Sequence, residues 1–227
     1  MKSVDLDKQS VTKLNELLHQ ADEDREETKW SIINPGGKHN IACGLNRRLN
    51  VEIKGHAGYY CAGMNKLANV TVNGNVGVGV AENMMSGTVS VHGNAGQSAG
   101  ATGHGGLLFV AGNAAARCGI SMKGVNIVVD GSVGHMAAFM GQAGRLVICE
   151  NAGDALGDSL YEARIYVKGD VASLGADCVQ KEMREEHVHE LGQLLDTAGI
   201  NKNASEFKRF GSARKLYKFK VGNAMAY

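Results

Sequence analysis

Proline is almost absent from this sequence. Pro35 is the only proline among 227 residues, whereas the 31 glycines are about twice the usual share. This composition excludes collagen and Pro/Gly-rich disordered linkers, because both are rich in proline. Abundant glycine without proline indicates a fold that needs permissive turns and nearly every backbone N–H donor.

An excess of charge of one sign is also lacking, as are long apolar runs. The formal net charge is +1, with 24 basic and 23 acidic residues interspersed. No basic stripe of the kind that binds nucleic acid or anionic lipid is present. No run approaches the roughly 20 apolar residues that span a bilayer, and none resembles a signal peptide. We therefore expect a cytoplasmic protein without nucleic-acid or membrane partners.

The sequence also lacks closely spaced pairs of cysteines. The five cysteines are odd in number and form no C-x-x-C, so neither a disulfide framework nor an iron–sulfur or zinc site is indicated. They are Cys43, Cys61, Cys118, Cys149 and Cys178. We expect most of them to be small buried hydrophobic residues.

A glycine phrase recurs along most of the chain. The stretch GNVGVGV at residues 74–80 has the spacing of a nucleotide-binding loop, but such a loop occurs once, between a strand and a helix. Here the anchor position returns every 19 residues, at Gly36, Gly55, Gly74, Gly93, Gly112, Gly131, Glu150 and Gly169. We therefore interpret the phrase as a turn that is repeated once in every structural repeat, and not as a nucleotide-binding loop.

Short alternating segments precede the anchors. They read VEIK, VTVN, VSVH, LFVA, IVVD, LVIC and IYVK, each apolar at its first and third residue, as in Val89 and Val91. A period of two predicts strands with one buried face. A fixed period near 20 without an internal helix predicts an all-β fold, a parallel β-helix. About seven 19-residue coils would form a prism about 34 Å long, at about 4.8 Å per coil.

The two ends of such a stack need covers. Residues 10–21 and 181–197 carry apolar residues at helical spacing and are predicted as helical caps. We divide the chain into an N-terminal helical cap (1–30), the β-helix (31–178), and a C-terminal helix with a docking tail (179–227). The tail is basic and aromatic, with Phe207, Phe210, Tyr217 and Phe219.

Two sets of residues are candidates for special roles. A polar column one residue after the anchor predicts a stacked amide-to-amide ladder; its asparagines are Asn75, Asn94, Asn113 and Asn151. A methionine set falls at the corners, as Met64, Met84, Met85, Met122, Met136 and Met140. Flexible methionine fills irregular cores, but it also suits adaptable contact surfaces. The second interpretation gains weight because residues 36–177 carry few charges. Surfaces with so few charges are typical of sites that bind another protein.

No catalytic or metal-binding constellation emerges. The coil histidines His39, His56, His92, His104 and His135 fall in different columns. Asp154, Asp158 and Glu162 cluster, and paired carboxylates leave a carbohydrate-active β-helix enzyme open as an alternative. The scattered aromatics speak against it. A hexapeptide-type acyltransferase fits poorly, because 19 is not three hexads.

Several phrases resemble the GXGXG domain family: GHAGYYCAGMN (55–65), GVAENMMSGTV (79–89), AGATGHGG (99–106), CGISMKG (118–124) and GDALGDSLYEARIYV (153–167). This family includes the C-terminal domain of the glutamate synthase large subunit. In particular, the chain resembles stand-alone subunits of glutamate synthase-like complexes, including N-methylglutamate synthase. The resemblance covers residues 30–220 and implies a right-handed β-helix.

The resemblance also implies a division of labour. A glutamine amidotransferase-like subunit and an FMN-binding synthase subunit would be the partners, and FMN and an iron–sulfur cluster would reside in a partner. This chain would carry no cofactor and no activity alone. Separately from the resemblance, self-association of the isolated chain is left open. The chain would serve as a scaffold, with N-methylglutamate synthase as the first assembly and a glutamine-dependent glutamate synthase as the alternative.

Overall fold

A computed structural model describes residues 1–21 and 28–216. It is a mostly parallel β-solenoid with two helices, as predicted. The first nine strands are β1 (Lys2–Asp5), β2 (Thr28–Ile33), β3 (Leu49–Lys54), β4 (Asn69–Val72), β5 (Thr88–Val91), β6 (Leu107–Val110), β7 (Lys123–Val129), β8 (Ala143–Ile148) and β9 (Arg164–Val167). The later strands are β10 (Cys178–Lys181) and β11 (Lys208–Ser212), and the helices are α1 (Val11–His19), α2 (Glu185–Thr197) and a 3-10 turn (Ala204–Glu206). Seven parallel steps lead from β2 to β9, which gives about seven turns.

The strands of successive coils stack in register at a constant step. From β3 to β9 the paired residues are 19 positions apart, so Val70 lies beside Val89 and Val72 beside Val91. The exception is Lys123 at the start of β7, which pairs with Ala143, 20 positions later, before the register shifts. The inward side chains of the four valines are at most 1% exposed. A second column of single bridges runs along another side, from Ala57 to Val171. The alternating pattern therefore identifies the inner face of the solenoid.

The first coil departs from the period. Thr28 pairs with Leu49, 21 residues later, and Ile32 pairs with Ile53. The prediction that the 19-residue step begins at Gly36 is therefore wrong. Among the strands the 19-residue step starts with the pairing of β3 and β4, where Asn50 lies beside Asn69. Pro35, the single proline, lies in this irregular first coil.

Each coil turns its corners through left-handed backbone. Tyr60, Ala62 and Met64 have φ values of 57°, 53° and 55°, and Met136, Ala138 and Met140 repeat the pattern four coils later. The middle position of each triplet is buried, and there alanine or glycine recurs because space and backbone both restrict it. A Cβ on Gly100 would lie 2.5 Å from Cδ1 of Ile127.

Helix α1 covers the N-terminal end of the stack. The Ser10 hydroxyl accepts the N–H of Lys13 and caps the helix. The Asn15 amide donates to the carbonyl of Asn40 (2.8 Å) and accepts the N–H of Ala42 (3.0 Å). It thereby supplies hydrogen bonds that a preceding coil would otherwise make. Strand β1 pairs with β2, so the predicted cap region 1–30 also contributes strands to the sheet.

Helix α2 forms as predicted, but it packs on the side of the solenoid. Its Leu191 and Leu195 cover outward-facing Val128, Val147 and Tyr166 of β7, β8 and β9. The stack instead ends in two antiparallel strands, because β11 pairs with β9 and β10 pairs with β11.

The C-terminal tail docks on its own chain as far as it is described. Phe207 lies under the 3-10 turn within the α2 cluster, and Phe210 joins the solenoid core. Tyr217 and Phe219 lie outside the described residues.

Candidate interaction surfaces

Two of the histidines and one of the carboxylates singled out above make local contacts, whereas His92, His104 and His135 are exposed. His39 stacks on Tyr59 with 4.5 Å between ring centroids, and Nδ1 of His56 accepts the N–H of Asn75 at 2.9 Å. Glu162 pairs with Arg214 at 2.9 Å. Within residues 1–21 and 28–216, no group of three or more His, Cys, Asp or Glu side chains is placed to hold a metal ion.

The remaining two carboxylates of the cluster also bind locally. Asp154 accepts the hydroxyl of Ser173 at 3.0 Å, and Asp158 accepts the hydroxyl of Ser159 at 2.6 Å and the N–H of Ala176. Three of their four oxygens therefore take part in hydrogen bonds along the corners.

The cysteine thiols are poor nucleophiles and poor metal ligands. All five are free, and four are buried. Burial raises the pKa of Cys118 to about 12 and also raises the pKa of Cys61. Nucleophilic attack and iron–sulfur ligation both use the thiolate. Within the described residues no three such ligands are grouped, so the cysteines are not arranged to hold an iron–sulfur cluster.

Two of the predicted partner-facing methionines lie in the core. Met84 and Met122 are fully buried, so the prediction that they face a partner is wrong. Their column alternates large and small residues, with Gly103 and Gly141 at the intervening positions. The Met84 methyl group lies 2.6 Å from where a Cβ on Gly106 would be, and the Met122 methyl group lies 2.9 Å from that of Gly144. Each methionine therefore fills space that glycines of the next coil leave open.

The other four methionines lie at or near the surface. Met64, Met85 and Met140 are 57%, 47% and 38% exposed, and Met136 is half-buried. Met64 and Met140 occupy one column, four coils or about 19 Å apart at about 4.8 Å per coil. The structure therefore does not bring all four together.

An apolar edge forms on two neighbouring coils. We use this name for Tyr59, Tyr60, Met64, Leu67 and Met85, each at least 40% exposed. Groups of exposed apolar side chains on a protein surface mark interaction sites. Tyr60 and Met64 also hold left-handed backbone, which costs bulky residues about 1 kcal/mol or more. A large apolar side chain at such a position indicates a role that outweighs this strain.

The sequence prediction missed three members of this edge, namely Tyr59, Tyr60 and Leu67. For Tyr60 and Leu67 a signal was available in the 19-residue alignment, because glycine or serine occupies equivalent positions in other coils, at Gly79 and Ser98 and at Ser86, Gly105 and Gly124. The column of Tyr59 is mixed and gives no such signal.

The polar column forms a ladder of a different kind from the one predicted. The side-chain oxygen of Asn75 accepts the backbone N–H of Asn94, and that of Asn94 accepts the N–H of Asn113, each at 2.8 Å. Asn113 and Asn151 continue the pattern to Ser132 and Asp170. The predicted amide-to-amide pairing is wrong, because each side chain bridges to the main chain of the next coil. The asparagines are exposed, so the ladder lines an outer corner.

We expect Asn113→Ala to lower the free energy of unfolding by about 1 kcal/mol, through the lost bond to the Ser132 N–H. Asn113→Asp keeps the acceptor and should stay close to wild type. Asn94→Ala combined with Asn113→Ala should be nearly additive, because the two side chains serve different N–H groups. Urea denaturation of the four proteins measures this. An Asp variant as unstable as the Ala variant would contradict the acceptor role.

Neither helix of the described residues has the length and apolar character needed to cross a membrane.

Comparison with known proteins yields one partial match. No family model matches the chain. Over 56 residues the chain is 57% identical to Protein GlxC of Rhizobium meliloti (strain 1021). The matched stretch is 24% of this chain, and the chain spans about 25% of the length of the relative it matches.

Proposed function

We propose that this chain is the non-catalytic scaffold subunit of an FMN-dependent glutamate synthase-like complex. The observation that carries the proposal is the corner repeat. The phrases that resemble the GXGXG family coincide with the left-handed corners that stack the coils. The resemblance thus lies in the residues that build the solenoid. The similarity to Protein GlxC over 56 residues also supports the proposal.

A scaffold role is supported by how the polar and apolar groups are used. His39, His56, the three carboxylates and the thiols discussed above make local contacts or are buried. His92, His104 and His135 are exposed on separate columns of the coils. The apolar edge, in contrast, presents large side chains that the chain itself does not cover. Such a distribution suits a protein that binds other subunits through surface contacts.

The partners in this proposal are a glutamine amidotransferase-like subunit and an FMN-binding synthase subunit. FMN and an iron–sulfur cluster would be held by a partner, since the cysteines of this chain are unsuited to ligate a cluster. Our first choice of reaction is the conversion of methylamine and glutamate to N-methylglutamate and ammonia. Glutamine-dependent glutamate synthesis is the alternative for the same architecture.

Co-expression with the two partner chains tests the proposal. We expect the three chains to co-elute in size-exclusion chromatography, and the chain purified alone to be colourless. Met64→Asp combined with Met85→Asp should reduce co-elution, because charge at the apolar edge opposes its burial. Leu174→Asp, at an exposed apolar position near the other end, is the matched control. Failure of the wild-type chain to co-elute, or a yellow isolated chain, would overturn the proposal.

A further inference from the structure

A polar cleft opens at the C-terminal end of the solenoid, between β9, β10, β11 and the start of α2. Its volume is about 460 Å³. Five cationic side chains line it: Arg164, Lys181, Arg184, Arg209 and Arg214. Glu162 is the one carboxylate in its described lining. The cleft therefore concentrates positive charge on a protein whose overall charge is almost balanced.

Three of these cations have carboxylate partners. Arg214 pairs with Glu162 at 2.9 Å, and Arg184 pairs with Glu182 at 3.2 Å. Arg164 pairs with Glu190 of α2. The pairs of Arg214 and Arg164 join different segments of the chain, whereas that of Arg184 is local. All three leave their cations partly neutralised.

Lys181 and Arg209 are different. Over residues 1–21 and 28–216 neither takes part in an ion pair, and Nε of Arg209 donates to the main-chain carbonyl of Glu182 at 2.9 Å. The two residues are also direct partners across the antiparallel β10–β11 ladder. Like charges at directly opposed positions destabilise a sheet. An anion bound between them would remove this repulsion.

The pKa of the neighbouring His187 is also affected by this positive charge. It is a buried residue of the cleft wall, and its pKa is lowered by burial and by the nearby charge of Arg209. An imidazole at this place thus resists adding a further positive charge.

The shape and lining of the cleft favour a protein ligand. Sites for small molecules are mostly apolar and enclose their ligand. This lining is polar, and the side chains of Arg184 and Arg214 at its rim are 62% and 63% exposed. Guanidinium groups bind carboxylates through paired hydrogen bonds, and complementary charge orients partner proteins.

We propose that this cleft docks an acidic segment of a partner protein, with Lys181 and Arg209 binding its Asp or Glu side chains. The docking site lies at the opposite end of the coils from the apolar edge, so one partner could be held at each end. The inference requires a protein partner, but it does not require the glutamate synthase-like identity.

The test uses the full isolated chain and a short fluorescent oligo-glutamate peptide in an anisotropy titration. We expect saturable binding that weakens as salt is added. Lys181→Gln combined with Arg209→Gln should weaken binding about tenfold or more. Arg117→Gln combined with Lys123→Gln removes the same charge from exposed coil positions and should bind as wild type.

Folding of the cleft variant is checked by its melting temperature, which should match or exceed wild type because two opposed cations are removed. Absent binding, or equal loss in both double variants, would overturn the proposal. Inorganic phosphate that binds as tightly as the peptide would identify a small-anion site and would also overturn it. Because no partner subunit is used, these outcomes are separate from those of the co-expression test.

Discussion

Replacement of both Val89 and Val91 by Asp should abolish the cooperative unfolding transition of the chain. Both side chains are fully buried in a central coil and stack between residues of the coils on either side. Burial of such a side chain contributes about 1.5–3 kcal/mol. The change also buries two carboxylates without partners, which adds a larger penalty. Together these effects approach the whole stability of a typical domain, about 5–15 kcal/mol.

Circular dichroism during heating measures the outcome. Ser90→Asp is the matched control, because Ser90 lies between the two valines on the same strand and points outward. It should melt within a few degrees of wild type. A double variant that melts like the control would show that the inner face has been assigned incorrectly.

The neighbouring residues Met84 and Met85 should respond in opposite ways to the same substitution. Met84→Asp places a carboxylate in the core, at a position that is 0% exposed, and should unfold the chain. Met85 is 47% exposed, so Met85→Asp should leave the melting temperature nearly unchanged. Met122→Asp and Met140→Asp should repeat this contrast further along the stack.

Thermal melting and size-exclusion chromatography of the four proteins provide the measurement. Equal destabilisation by Met84→Asp and Met85→Asp would contradict the separation of buried and exposed methionine columns. A folded Met84→Asp protein would show that Met84 is not buried in the core.

Much of the solenoid could be predicted because each coil repeats the same alternation of buried and exposed residues. Alternation such as Val70, Thr71, Val72 identifies a half-buried strand, and an unbroken 19-residue step aligns each strand with the next. The helix at residues 11–19 was predictable from Ser10 and the spacing of Leu14 and Leu18. Local pattern and long-range pairing agree here, since neighbours in space are neighbours in the repeat.

Prediction failed where the repeat ends. The first coil steps by 21 residues because its strand also pairs with β1 and need not follow the later corners. The placement of α2 on the side of the sheet depends on outward residues such as Val128 and Tyr166. Those residues are apolar at positions where earlier coils have Thr71 and Ser90, so the sequence shows that the outer face becomes apolar. It does not show which segment of the chain covers that face.

The candidate surfaces were harder to predict than the fold. Met84 and Met64 both follow an anchor glycine, yet one column points inward and the next points outward. The basic cleft combines Arg164 with Lys181 and Arg209, which only the antiparallel end of the sheet brings together. No period in the sequence indicates that contact.

We propose that this chain contributes assembly and no chemistry of its own to a glutamate synthase-like complex. The direct measurement is turnover by the purified amidotransferase-like and FMN-binding chains, with and without this subunit, using methylamine plus glutamate and, separately, glutamine plus 2-oxoglutarate and a reductant. We expect turnover of one substrate set only when all three chains are present, and none by this chain alone. Full turnover without this subunit, or turnover by the isolated chain, would contradict the account.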